Sequence, residues 1–149
     1  MKLHTATEVM SLAKKLESES AKFYRDMSRR YVRDGDVFVS FARENEGNIV
    51  QIERAYYSVI TDAIEGGFAF DIESDDYTFE APPEQNIPRP DALNKAISIE
   101  EKISRFYSDA ARQSDALMAD IPRAFRLVAK KRDARIARLK ALLDRESLK

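Results

Sequence analysis

Glu17-Ser-Glu-Ser-Ala-Lys-Phe23-Tyr24 returns in outline as Glu100-Glu-Lys-Ile-Ser-Arg-Phe106-Tyr107, offset by 83 positions. A second matching stretch follows each copy at an offset of 87. After the first copy it reads Phe38-Val-Ser-Phe41-Ala42-Arg-Glu-Asn45-Glu-Gly-Asn48-Ile49. After the second it reads Phe125-Arg-Leu-Val128-Ala129-Lys-Lys-Arg132-Asp-Ala-Arg135-Ile136. Apolar residues recur at steps of three and four, the period of an amphipathic helix. One helix pair has been used twice, and four helices are predicted. Glu17 and Glu100 fall inside the apolar stripes, where a carboxylate must find a partner.

Thr5-x-x-Glu8 is a capping box and sets the start of the first helix near Thr5. The inward stripe is then Val9, Leu12, Ala13, Leu16, Glu17, Ala21, Phe23, Tyr24 and Met27. A turn at Arg33-Asp34-Gly35-Asp36 leads to a second stripe: Val37, Phe38, Phe41, Ala42, Asn45, Ile49, Ile52, Tyr56, Val59, Ile60 and Ala63. Gly66-Gly67 is expected to end that helix. Residues 66–90 have no helical period and hold four of the five prolines. So long a connection suits two parallel helices, because it must travel the length of a bundle. The third helix is predicted from about Asp91, with Leu93, Ala96, Ile97, Glu100, Ile103, Tyr107 and Ala110 inward. A short turn near residues 114–120 makes the fourth helix its antiparallel neighbour. Asp120 is the expected N-cap and Pro122 falls in the first turn. Phe125, Val128, Ala129, Arg132, Ile136, Leu139 and Leu143 form the last stripe.

Over nearly its whole length the chain resembles the rubrerythrin branch of the ferritin-like superfamily. Helices one and three of that family carry E-x-x-x-x-x-F-Y. Helices two and four carry F-x-x-L-A-x-x-E-x-x-H, whose Glu and His bind a pair of irons. The resemblance implies an all-α fold with a single domain over residues 1–149. That domain would be a ferritin-like up-down-down-up four-helix bundle, with its crossover at 66–90. It also implies that Glu17 and Glu100 are retained ligands, while Asn45/Asn48 and Arg132/Arg135 have replaced the other four. Members of the family often pair, so a homodimer or another protein partner is expected.

Asparagine offers only a neutral amide, a poor ligand for iron, and arginine offers no acceptor and stays cationic. An intact site balances about four carboxylates against two divalent ions. Here two glutamates face two arginines. The guanidinium groups are expected in the space of the irons, in charge-assisted hydrogen bonds to Glu17 and Glu100. Asn45 and Asn48 would complete the cluster, with the Tyr24 and Tyr107 hydroxyls as further partners. Alternatively, Arg132 and Arg135 extend from a basic helix edge to water. No metal or cofactor is expected. The alternative is iron at a partial or displaced site, on Glu17 and Glu100 or on Glu44, Glu46, Glu53 or Glu101 across a dimer. Those last four lie off the stripe and read as a solvated face.

With 149 residues and 44% hydrophobic content, the chain suffices for one core. Charged residues nearly cancel at net −1, so no global field points to nucleic acid or membrane. The absence of cysteine excludes disulfides, thiolate nucleophiles and the rubredoxin-like iron module that rubrerythrins append. The one histidine, His4, is expected in solvent at a frayed terminus. No apolar run reaches the roughly 20 residues of a membrane span, and no signal-peptide core follows Met1, so a cytoplasmic location is expected. There is no Cys/His pair, phosphate-binding glycine loop or Ser-His-Asp set. A structural, regulatory or partner-binding role is therefore expected over catalysis. The alternative is a rubrerythrin-type oxidoreductase handling peroxide or iron.

Charge is unevenly placed along the chain. Residues 65–84 carry seven acidic and no basic side chains, and residues 123–149 carry ten basic against three acidic. Internal complementarity or a head-to-tail partner is favoured over nucleic acid on the fourth helix. Phe68, Phe70, Ile72, Tyr77 and Phe79 are expected to anchor the crossover in grooves of the bundle, or to form a dimer seam. Asp71-x-Glu73-x-Asp75 lacks the EF-hand glycine and has Pro82 at the twelfth position, so it reads as a solvated loop.

Overall fold

The computed structural model describes residues 1–59, 70–79, 87–114 and 120–147. Four long helices make up most of the described residues: α1 (Ala6–Arg30), α2 (Gly35–Val59), α3 (Arg89–Ser114) and α4 (Asp120–Ser147). The expected capping box forms at α1, where the Thr5 side chain accepts from the Glu8 amide and the Glu8 side chain accepts from the Thr5 amide. The stop at Gly66-Gly67 lies outside the described residues. So does the residue before Asp120, which is itself the first residue of α4 rather than its cap.

Helix directions follow from which side chains meet. On α1 and α2, Thr7 meets Tyr56, Glu17 meets Asn48 and Ser20 meets Asn45, so one number rises as the other falls and the pair is antiparallel. Arg89 with Glu146 and Ser104 with Asp133 give the same relation for α3 and α4. Glu17 with Tyr107 and Tyr24 with Glu100 make α1 and α3 antiparallel. Relative to α1, the helices therefore run up, down, down and up. The connection from α2 to α3 must traverse the bundle, as the run of prolines implied.

Most positions of the predicted stripes form the core, although Val37, Phe41, Ile49, Ile136 and Leu143 are only half-buried and Ile60 and Ala63 lie outside the described residues. Val9, Ala13, Leu16 and Tyr24 of α1, Phe38 of α2, Leu93, Ala96, Ile103, Phe106 and Tyr107 of α3, and Val128 and Leu139 of α4 are all sealed from solvent. Around the helix ends nearest the α1–α2 turn, Arg89 ties three segments together. It donates to Asp34 at 2.7 Å, to Glu146 at 2.6 Å and to the Arg33 carbonyl at 2.8 Å, and its guanidinium lies 5.8 Å from the Phe38 ring centroid. The left-handed residue of that turn is Asp34, at φ 62°, not the adjacent glycine. Gly35 serves a different purpose, since a Cβ there would stand 3.2 Å from the Ser28 carbonyl oxygen of α1.

The N-terminus departs from expectation. Lys2–Leu3 (β1) pairs antiparallel with Ile72–Glu73 (β2) of the crossover, matching Leu3 to Ile72. Leu3 is buried and His4 is half-buried, its Nδ1 lying 3.2 Å from the Phe70 carbonyl, so His4 is held against the crossover rather than left in solvent. Phe70, Ile72 and Tyr77 are buried against the bundle as expected, while Phe68 lies outside the described residues. The described acidic side chains of the crossover pair elsewhere than on α4. Glu73 binds the terminal ammonium and Asp71 binds Lys2 at 3.2 Å, and among the described residues no ion pair joins the crossover to α4.

Candidate functional site

Midway along the bundle, within the apolar core, sits a buried polar layer. Glu17, Ser20, Tyr24, Asn45, Asn48, Glu100, Tyr107 and Arg132 are fully enclosed, and Arg135 is 2% exposed. α1 supplies Glu17 and Tyr24, α2 the two asparagines, α3 Glu100 and Tyr107, and α4 the two arginines. Spacings of three, for Asn45/Asn48 and Arg132/Arg135, and of seven, for Glu17/Tyr24 and Glu100/Tyr107, put each pair on one inward face. All eight polar residues singled out in the sequence converge here. Arg132 is the largest of the fully buried side chains among the described residues.

Its guanidinium lies between the two carboxylates. Nη2 donates to Glu17 Oε2, and Nη1 donates to both oxygens of Glu100 and to Ser20 Oγ at 3.1 Å. Arg135 Nη1 reaches Glu100 Oε1 at 3.1 Å and Asn45 Oδ1 at 2.8 Å. Its Nη2 binds the Phe41 carbonyl at 3.1 Å and Glu44 at 2.7 Å. The same guanidinium packs over two rings, 5.2 Å from Tyr24 and 4.7 Å from Phe41. The extension of both arginines to water is thereby overturned. A desolvated guanidinium beside two carboxylates has far more to gain inward.

Neutral donors complete the carboxylates. Asn48 Nδ2 donates to Glu17 at 3.0 Å, and Asn45 Nδ2 donates to Ser20 at 3.0 Å. The tyrosines cross over between the halves: Tyr24 donates to Glu100 at 3.0 Å and Tyr107 to Glu17 at 2.8 Å. Burial first, and then the facing carboxylate, holds both phenols well above their ordinary pKa. At Arg132, burial alone would favour the neutral form, but Glu100 and Glu17 outweigh it and raise its pKa. The charges inside the layer sum to zero, two carboxylates against two guanidiniums.

A diiron centre does not fit this layer. The oxygens that would ligate it are engaged by guanidinium, phenol and amide donors, and a fixed cation stands between them. Elsewhere among the described residues, no three His, Cys, Asp or Glu side chains converge as a metal cluster would. Glu46 pairs with Arg25 and Glu53 with Lys14. Glu44, read in the sequence as a solvated residue, instead caps Arg135 at the rim with its own side chain 41% exposed. Ser20 was missed as well. It stands three residues after Glu17, so the spacing that placed Tyr24 could have found it.

Three buried polar atoms have no protein partner: Asn48 Oδ1, Arg132 Nε and Arg135 Nε. No family model, curated protein or solved structure matches this chain.

Proposed function

We propose that this chain is a ferritin-like domain whose diiron centre has been exchanged for an internal ion-pair network, and that it acts as a structural, regulatory or partner-binding domain. The observation that carries this reading is the Arg132 guanidinium bridging Glu17 and Glu100. It supplies inside the bundle the positive charge that a metal pair supplies in the rubrerythrin-like pattern, and it cannot be displaced without leaving buried carboxylates unpaired. The up-down-down-up course and the recurrence of E-x-x-x-x-x-F-Y support the ferritin-like assignment. With every layer carboxylate already committed to a cation, none is placed to serve as an acid or base.

Metal titration tests both halves of the reading. The parent chain, purified and incubated aerobically with Fe(II), is expected to retain no stoichiometric iron. A variant carrying Asn45→Glu, Asn48→His, Arg132→Glu and Arg135→His restores the ligand pattern and is expected to bind a metal pair, read with Co(II) by its visible absorption. Stoichiometric iron in the parent would overturn the loss of the site. A restored variant that stays folded yet binds nothing would overturn the ferritin-like assignment.

A further inference from the structure

On their outward side, α3 and α4 enclose two open clefts of about 640 and 610 Å³ that share Ser108 and Asp133, so the two form one continuous groove. Its floor is low, because Ser104 and Ser108 of α3 and Ala129 of α4 are small. Five cations line it, Arg105 of α3 with Arg123, Arg126, Lys130 and Lys140 of α4. Two acidic side chains, Glu101 and Asp133, line it as well, and Asp133 is held by the Ser104 hydroxyl at 2.6 Å. Among the described residues, Arg105, Arg123, Lys130 and Lys140 stand in no ion pair. Arg123, Arg126 and Lys130 follow one another at steps of three and four, which makes neighbours of like charges on one helix face and destabilises the helix. Arg123 also stands in the first turn of α4, at the end of the helix dipole that repels a cation. The cluster therefore works against the helix that carries it. Leu127, 42% exposed, lies among these cations.

We propose that this groove docks an amphipathic, acidic helix of a different protein. Two neighbouring helices with small residues between them present a surface into which a third helix packs, at an interaxial distance of about 8–10 Å. Carboxylates along the docked helix neutralise Arg105, Arg123 and Lys130, and its apolar stripe covers Leu127 and the half-buried Ile136. Charge selects this occupant. A nucleic-acid backbone would bring phosphates over Asp133 and Glu101 and would have nothing apolar to lay on Leu127. A helix can place carboxylates at the cation cluster and a neutral or basic residue over Asp133. A second copy of this chain is a poor occupant, because its described acidic segment already has partners, Glu73 on the terminal ammonium and Asp71 on Lys2. The contact is one helix wide and rimmed by exposed charge, so the complex belongs to the weaker, salt-sensitive class. This docking deepens the partner-binding reading above and rests on it, but not on the state of the buried layer.

The probe is a fluorescein-labelled helical peptide with a leucine stripe flanked by glutamates, titrated with the full chain and followed by fluorescence anisotropy. The parent is expected to bind it, more weakly as salt rises, and to bind the same peptide with Gln in place of Glu at least tenfold less tightly. Arg123→Gln combined with Lys130→Gln should weaken binding at least tenfold while the melting temperature holds or rises, because fewer like charges crowd α4. A purely structural role for these cations would lower it instead. Arg43→Gln, which removes an exposed cation from α2, should leave binding unchanged. A parent that does not bind the peptide, a double variant that binds it as the parent does, or an Arg43→Gln chain that loses as much as the double variant would overturn the proposal. Tighter binding of a double-stranded DNA oligonucleotide than of the peptide would overturn it in favour of nucleic acid. Self-association of the parent that the double variant abolishes would overturn it in favour of a second copy. Stoichiometric iron in a chain that still binds the peptide would sink the metal-free half of the functional reading and leave this docking intact, whereas an iron-free chain that ignores the peptide would do the reverse.

Discussion

Replacing Arg132 by Met leaves a side chain of comparable length in the same space and removes the bridging charge. Glu17 then keeps only neutral donors, Asn48 at 3.0 Å and Tyr107 at 2.8 Å. Glu100 keeps Arg135 at 3.1 Å and Tyr24 at 3.0 Å. The layer passes from neutral to one uncompensated negative charge, fully buried. Removing one member of a buried pair costs about 3–5 kcal/mol. Against the roughly 5–15 kcal/mol that holds a domain folded, this is a large share. Glu17→Gln alone should cost a similar amount, because it strands a cation instead. The double variant restores neutrality, with Arg135 facing Glu100, so its loss should be smaller than that of either single change. Urea unfolding followed by circular dichroism gives all four corners of this cycle. If Arg132→Met unfolds within about 1 kcal/mol of the parent, or if the two losses simply add, the charge argument is wrong.

Alkaline stability tests the crossed tyrosines. Tyr24 and Tyr107 have folded pKa values raised by burial and then by the facing carboxylates, so the folded chain binds more protons than the unfolded chain above about pH 10. Their contribution is complete below that pH and declines above it by about 1.4 kcal/mol per pH unit per tyrosine. Denaturant unfolding at pH 9, 10 and 11 should show the decline, and Tyr24→Phe with Tyr107→Phe should flatten it; a parent insensitive to pH over that range would contradict the assignment. Arg89→Ala should destabilise by about 1.5–3 kcal/mol, since it removes hydrogen bonds to two charged partners that are largely shielded from water. Thermal melts in low and high salt would check this, and a change below about 0.5 kcal/mol would mark the cluster as ornamental.

Helices were legible because α1 and α3 repeat their apolar stripes over many turns, and the polar layer was legible because Glu17 and Glu100 interrupt those stripes. What escaped detection depends on partners distant in the chain. Lys2–Leu3 and Ile72–Glu73 are too short to show an alternating period, and their pairing joins segments about 70 residues apart. Arg89 reads as a loop residue before Pro90, and only the folded bundle brings Asp34 and Glu146 to it. On α2 the apolar stripe included Ile49, which is only half-buried, whereas Asn48, already expected in the polar cluster, is enclosed. Glu17, one helix away, decides that rotation. Glu44 was misread for a related reason, because an exposed position on α2 still lies within reach of a long arginine from α4.

The unequal distribution of charge between the two halves has a consequence for how they assemble. Two repeated helix pairs with similar stripes could, by packing alone, associate with copies of themselves. The first half contributes Glu17 and two neutral asparagines to the layer, for one negative charge. The second contributes Glu100, Arg132 and Arg135, for one positive charge. Pairing like halves would bury two uncompensated charges of one sign, whereas pairing unlike halves buries none. Each mispairing therefore carries the penalty of a stranded buried ion, several kcal/mol, while the native pairing carries only a satisfied network. Placing both arginines on α4 alone makes the layer a selector of its own partner. That gives the network a role even if its net contribution to stability is near zero.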